Sequence, residues 1–153
     1  MPFILSSALK EELREIKSLI QLEKLLKGKS LFAVETIDSS EVHKYGIISG
    51  KEVAKNFWKV NSLVEKPKPE DAPSNLGVIG RYIFNPDIFN HLHNTKPGFG
   101  GEIQLTDAMH KMAEDGEIYA WIFEGKRYDI GNMEDWFRSH IELSLVSEFG
   151  FVI

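Results

Sequence analysis

Cysteine is absent from the 153 residues, which excludes a disulfide framework and a thiolate zinc site and argues against a small secreted fold stapled by cross-links. A reducing cytoplasm is the location this predicts. No run of about 18 consecutive apolar residues occurs, so no transmembrane helix is expected, and "MPFILSSAL" is too short and too poor in basic residues for a secretory signal. An excess of positive charge is missing too. With 18 Lys and Arg against 23 Asp and Glu, the formal net charge is -5, which disfavours a broad nucleic-acid surface but not a local cationic pocket. What is present, 42% hydrophobic and 27% charged residues, is the composition of one ordinary globular domain. With no internal repeat and no long linker, residues 1–153 read as a single domain.

Periodicity divides the chain into helices and strands. From Ser7 to Lys27 the residues Leu9, Leu13, Ile16 and Ile20 recur at helical spacing, with Ser7 as a cap and Gly28 as a stop. "LFAVETI" (31–37) is a short apolar run suited to a strand buried on both faces. A second strand starts near Trp58, where Trp58, Val60, Ser62 and Val64 alternate with Lys59, Asn61, Leu63 and Glu65 so that one row points inward, and ends at Pro67. "GVIGRYIF" reads as a third strand, and Pro86 suits the first position of a short helix over "PDIFNHLHN". In "GEIQLTDAMHKMAED" the set Leu105, Ala108, Met109 and Met112 has helical spacing and closes at Gly116, with Glu102 in the first turn. "EIYAWIF" is another buried strand, and Met133, Trp136, Phe137, Ile141 and Leu145 mark a terminal amphipathic helix. Strands and helices so mixed predict an α/β sheet covered by helices.

One stretch, "SLVEKPKPEDAPSNLGVIGRYIF", places Glu65 and Lys66 where a strand meets proline. Ligands of α/β sheets bind outside the carboxyl ends of strands, where side chains and loop amides converge. A lysine there supplies a point charge for a phosphate, and a carboxylate accepts hydrogen bonds from sugar hydroxyls. Pro67 and Pro69 stiffen the backbone that would hold both around one cleft. Taken alone, the dipeptide favours the plainer reading, a solvated ion pair before a Pro-rich turn.

The wider pattern reverses that preference. "HKYGIISG", "LVEKPKPEDAPSNLGVIGRYIF", "TKPGFGGEIQLTDAM" and "GKRYDIGN", in this order and at these separations, resemble the second half of the bacterial UTP-glucose-1-phosphate uridylyltransferases of the sugar-phosphate nucleotidyltransferase family. The resemblance runs from about Leu19 to Leu145; residues 1–18 match nothing in it. It implies a partial Rossmann-like sheet and a reaction in which the phosphate of glucose 1-phosphate attacks the α-phosphorus of UTP, giving UDP-glucose and pyrophosphate with magnesium.

Residue by residue, the resemblance gives Glu65 to the glucose hydroxyls and Lys66 to the sugar phosphate. Gly46 would offer its amide to the sugar, the plainer alternative being a turn glycine. Val78 and Tyr82 would line the sugar pocket, with core packing as the alternative. Asp129, in "RYDIG", would be one of two magnesium ligands; alone it reads as a turn or cap residue. "GGEIQLTDA" is given to architecture rather than chemistry. The five histidines, His43, His91, His93, His110 and His140, carry no metal-ligand motif, and His91 and His93 are expected at the surface. Nucleotidyl transfer asks the protein for positioning and charge neutralisation rather than a nucleophile.

The family's Gly-rich nucleotide loop, G-x-G-[ST]-[RK], has no counterpart in the sequence: "PGFGGE" has no basic residue after its glycines and "VIGRY" only one glycine. The expectation is therefore a sugar-phosphate half without its UTP half, either a shortened gene product, an excised piece or one of two complementing chains. As an isolated chain it would be inactive, or a non-catalytic binding or assembly module. Thymidylyl-transferring relatives share a similar EKP element, but "GGEIQLTDA" and "YDIG" favour the uridylyl branch. An uncovered edge at "LFAVETI" and the stripe Leu9, Leu13, Ile16, Ile20 would promote self-association.

Overall fold

The computed structural model describes residues 28–123, 125, 127, 128 and 130–146. The helix expected from Ser7 to Lys27 and the candidate ligand Asp129 lie outside the described residues. The chain divides into two compact units, one of Lys17–Phe123 and one of Met1–Ile16 with Glu124–Ile153.

The described elements are β1 (Ser30–Thr36), β2 (Gly46–Ala54), β3 (Phe57–Glu65), β4 (Leu76–Ile83), α1 (Ile88–His93), α2 (Leu105–Glu114), β5 (Ile118–Ile122) and α3 (Met133–Val146). All five strands belong to the Lys17–Phe123 unit and close on one another in the order β1-β4-β2-β3-β5. Only the β1–β5 pair is parallel; the other four ladders are antiparallel. β2 was not expected as a strand, because "GIISGKEVA" carries two turn-like residues, Ser49 and Gly50, in its middle. A β-bulge explains them. A Cβ at Gly50 would lie 2.4 Å from the Lys59 carbonyl oxygen, so only glycine lets the two backbones approach there.

The uncovered edge expected at "LFAVETI" is corrected. β1 is flanked by β4 on one side and β5 on the other, and Leu31, Phe32, Ala33 and Val34 are fully buried. With both backbone rows paired, the strand offers no template for another chain.

β2 and β4 meet at a single pair, Ile47 and Gly77. Gly77 makes that approach possible, since a Cβ there would sit 2.4 Å from Ile37 Cγ1. Beyond the pair, Ser74 Oγ donates to the Ile48 carbonyl at 2.6 Å and accepts from Leu76 N–H at 3.0 Å. A side chain thus replaces the ladder that stops short, leaving fewer polar groups buried without partners.

α2 presents Ala108, Met109, Met112 and Ala113 to a core shared with Phe32, Val34, Val60, Ile118 and Ala120. Full burial of each large apolar side chain contributes roughly 1.5–3 kcal/mol, which fixes α2 over the strands. α2 starts at Leu105 with Gln104 as N-cap, so Glu102 stands before the helix rather than in its first turn, directly after the Phe99–Gly101 turn. α1 starts at Ile88, two residues past the expected Pro86. His91, expected at the surface, is half-buried with Nε2 3.7 Å from Asp115 Oδ2.

In the other unit, α3 matches the expected terminal helix. Asn132 caps it, accepting from Asp135 N–H at 2.9 Å and donating to Asp135 Oδ2 at 2.6 Å.

Candidate functional site

β3 does not keep one inward row from end to end. Its register against β2 shifts between Ser49 and Gly50, whose partners are Ser62 and Val60, so Asn61 is the extra residue. Trp58 and Val60 face the core before the bulge, and Leu63 does after it. Val64 is 40% exposed. The bulge therefore sets Glu65 on the same side as buried Leu63, as bulges beside binding sites commonly re-aim a side chain.

Opposite it, β4 has a second irregularity. The pairing with β1 shifts between Phe32, opposite Tyr82, and Val34, opposite Val78. Gly80, between them, adopts φ 80°, which only glycine takes readily. Val78, Gly80 and Tyr82 then line one cleft of about 330 Å³ together with Gly46 and Glu65. The start of α2 contributes Gln104, Leu105 and Thr106, and the turn before β2 contributes Lys44 and Tyr45.

Gly46 is the first residue of β2 and pairs with Glu65, so it is a ladder residue rather than a turn glycine. Lys66 N–H donates to the Tyr45 carbonyl at 2.9 Å, and by the alternation of antiparallel ladders the Gly46 amide points away from β3. A Cβ at Gly46 would sit 3.1 Å from both Glu65 Oε2 and Thr106 Oγ1. The glycine leaves room for those two to meet: Thr106 Oγ1 donates to Glu65 Oε2 at 2.5 Å.

Lys66 departs from the conformation that a following proline usually enforces. Instead of an extended backbone it takes φ 45°, a left-handed turn that carries the chain out of β3 into Pro67. Its ammonium stands 3.9 Å from Glu65 Oε1, with the two side chains 42% and 14% exposed. One oxygen of Glu65 thus takes the Thr106 hydroxyl, and the other faces a partly solvated cation.

Val78 is half-buried and packs against the core while also lining the cleft. Tyr82 stacks on Phe84 with ring centroids 5.2 Å apart and lies tilted against Phe32 at 6.4 Å. Burial, and after it the negative charge of Glu65, push the Tyr82 phenol above its ordinary value of 10.0. It is a neutral hydrogen-bonding group at any physiological pH.

A pH dependence follows. A raised folded-state value makes a stability contribution that is complete below pH 10.0, the unfolded value, and is lost as pH rises through the folded one. Alkaline unfolding should begin above that pH, and Tyr82→Phe should lessen it. Phenolate absorbance should show one tyrosine that titrates late in the wild type and is missing from Tyr82→Phe. An unchanged late-titrating tyrosine in the variant would contradict the assignment.

The structure brings four of the six candidate residues, Gly46, Glu65, Val78 and Tyr82, into one cleft and places Lys66 beside it. Asp129 lies outside the described residues. Sequence reading missed Thr106, although "GGEIQLTDA" had been singled out. A threonine in the first turn of an amphipathic helix looks like a capping residue, and nothing local shows that β3 ends opposite it.

Comparison with known proteins follows the same lines. A family model described as nucleotidyl transferase matches residues 4–144. A UTP--glucose-1-phosphate uridylyltransferase of Pseudomonas aeruginosa is 50% identical over 107 residues, which are 70% of this chain and 38% of that protein. UTP--glucose-1-phosphate uridylyltransferase 2 of Staphylococcus saprophyticus is 44% identical over 121 residues, 79% of this chain and 42% of that one. Among solved structures, a UDP-glucose pyrophosphorylase complexed with UDP-glucose superposes with a TM-score of 0.77 at 44% identity, covering 85% of this chain and 48% of that chain. A UTP-bound UGPase from Acinetobacter baumannii gives 0.70 at 27% identity, covering 86% and 45%. The chain spans less than half the length of each of these relatives.

Proposed function

The chain belongs to the nucleotidyl transferase family, and from that premise we propose that its cleft is the sugar-phosphate subsite of a UTP-glucose-1-phosphate uridylyltransferase, with glucose 1-phosphate as its ligand. The observation that carries the reading is the grouping of Glu65, Gly46, Val78 and Tyr82 around one cleft with Lys66 beside it. Glu65 accepts hydrogen bonds from sugar hydroxyls, and Val78 and the Tyr82 ring offer apolar surface to the sugar face. The Gly46 amide, turned away from β3, is a donor. The Lys66 ammonium answers the phosphate, where charge-assisted contacts are the strong ones.

UTP, UDP-glucose and pyrophosphate enter as the co-substrate and products of that reaction, and a cytoplasmic location goes with it. Among the described residues no group of three or more His, Asp or Glu side chains could hold a metal ion, and Glu65 is already engaged by Thr106. The described residues therefore do not by themselves form a magnesium site. Asp129 is the proposed ligand, supported by its place in "RYDIG". Among the described residues no helix is long and apolar enough to cross a membrane.

Calorimetric titration tests the reading. Glucose 1-phosphate should bind more tightly than either glucose or inorganic phosphate alone, because both halves of the ligand are held. Glu65→Gln should weaken glucose 1-phosphate by about tenfold, the scale of one hydrogen bond to a charged group, while leaving inorganic phosphate unaffected. Equal binding of phosphate and glucose 1-phosphate would show a bare anion site and refute the proposal.

A further inference from the structure

We infer that Thr106 is a positioning residue, fixing the rotamer of Glu65 so that the carboxylate is already aimed before a sugar arrives. The inference deepens the subsite reading and rests on it for the ligand, but the positioning itself is independent of any ligand.

Two hydrogen bonds tie α2 to the end of β3. Thr106 Oγ1 donates to Glu65 Oε2 at 2.5 Å, and Leu63 N–H donates to His110 Nδ1 at 3.1 Å. On the helix, residues 106 and 110 are one turn apart on one face; on the strand, 63 and 65 are two apart on one side. The two bonds are therefore neighbouring rungs between the same pair of elements. Beyond Lys59 no pairing of β3 with β5 continues, so the backbone of β3 is open to α2 there, and His110 supplies the acceptor that the ladder does not. Accepting at Nδ1 requires that this nitrogen carry no proton.

The first rung is well sheltered. Thr106 is only 9% exposed, and the Glu65 side chain only 14%. Gly46 leaves the space in which they meet, since a Cβ there would press on both. Losing the hydroxyl would leave Glu65 Oε2 without its buried donor and free the side chain to rotate. A ligand would then have to order it, which lowers affinity without removing any contact to the ligand.

Thr106→Val keeps shape and branching while deleting the donor, and Thr106→Ser keeps the donor. Measured without ligand, the Hα–Hβ couplings of Glu65 should report one rotamer in the wild type and in Thr106→Ser, and averaging in Thr106→Val. Titrated with glucose 1-phosphate, Thr106→Val should bind about tenfold more weakly, with Thr106→Ser close to wild type. His110→Asn, which offers an acceptor near the Nδ1 position, should preserve the single rotamer, and His110→Phe should lose it in part. Unchanged Glu65 couplings in a folded Thr106→Val protein would overturn the inference. Averaged couplings in Thr106→Val, with no glucose 1-phosphate binding by wild type, would leave the positioning intact and reject the subsite reading instead.

Discussion

Lys66→Gly is expected to make the protein more stable and its cleft worse at holding a phosphate ester. Lys66 takes φ 45°, and a side chain in the left-handed region costs roughly 1–2 kcal/mol, whereas glycine enters it freely. Part of that relief is offset by the greater freedom of glycine in the unfolded chain, about 0.5–1 kcal/mol. A net gain centred on about 0.75 kcal/mol, within about 0–1.5 kcal/mol, remains, read as a higher urea midpoint with an unchanged slope. Binding moves the other way. Removing the ammonium should weaken glucose 1-phosphate by about 10- to 100-fold, the range of a charge-assisted contact. Lys66→Ala separates the two effects, because it keeps the strained backbone and loses the charge: its affinity should match that of Lys66→Gly with none of the added stability. A strained residue that stability alone would replace is a sign of function. Wild-type affinity in either variant would show that Lys66 serves the turn and not the ligand.

The 153-residue chain alone is expected to release pyrophosphate from UTP and glucose 1-phosphate far below the roughly 1 to 10³ per second of ordinary enzymes. Its sequence contains no G-x-G-[ST]-[RK] loop to cradle a triphosphate. Nucleotidyl transfer depends on preorganised charge and alignment rather than covalent chemistry, and losing one such element typically costs about 10²- to 10³-fold in rate. A missing phosphate cradle removes several backbone donors and a cation together, so the losses compound. The check is a coupled pyrophosphate assay on purified chain with magnesium present. Turnover within tenfold of the ordinary range would mean that other residues supply the cradle.

The fold was readable where local pattern and tertiary role coincide. "LFAVETI" was placed as a strand within one residue of β1, since a short apolar run buried on both faces has no other easy reading. α2 announced itself through Leu105, Ala108, Met109 and Met112, all of which face the strands or the cleft. Features decided between strands were not readable. The bulge at Asn61 exchanges Val64 for Leu63 on the inner side, and no pattern within β3 reveals that β2 is one residue shorter across it. Closure of the strands through the single Ile47–Gly77 pair depends on Ile37 fitting over a glycine about forty positions along the chain. The site was legible through its motifs rather than its periodicity. Glu65 and Lys66 alone favoured an ordinary ion pair, and only the order of four longer motifs singled them out. Thr106 lay inside one of those motifs and was passed over because its partner is across the fold.

Backbone chemical-shift mapping on the folded chain, titrated with glucose 1-phosphate, tests the central claim most directly. Saturable shifts confined to Gly46, Glu65, Lys66, Val78, Tyr82 and Thr106 and their immediate neighbours are the predicted result. Saturable shifts gathered elsewhere on the strands, or none at ligand concentrations that saturate related enzymes, would contradict it.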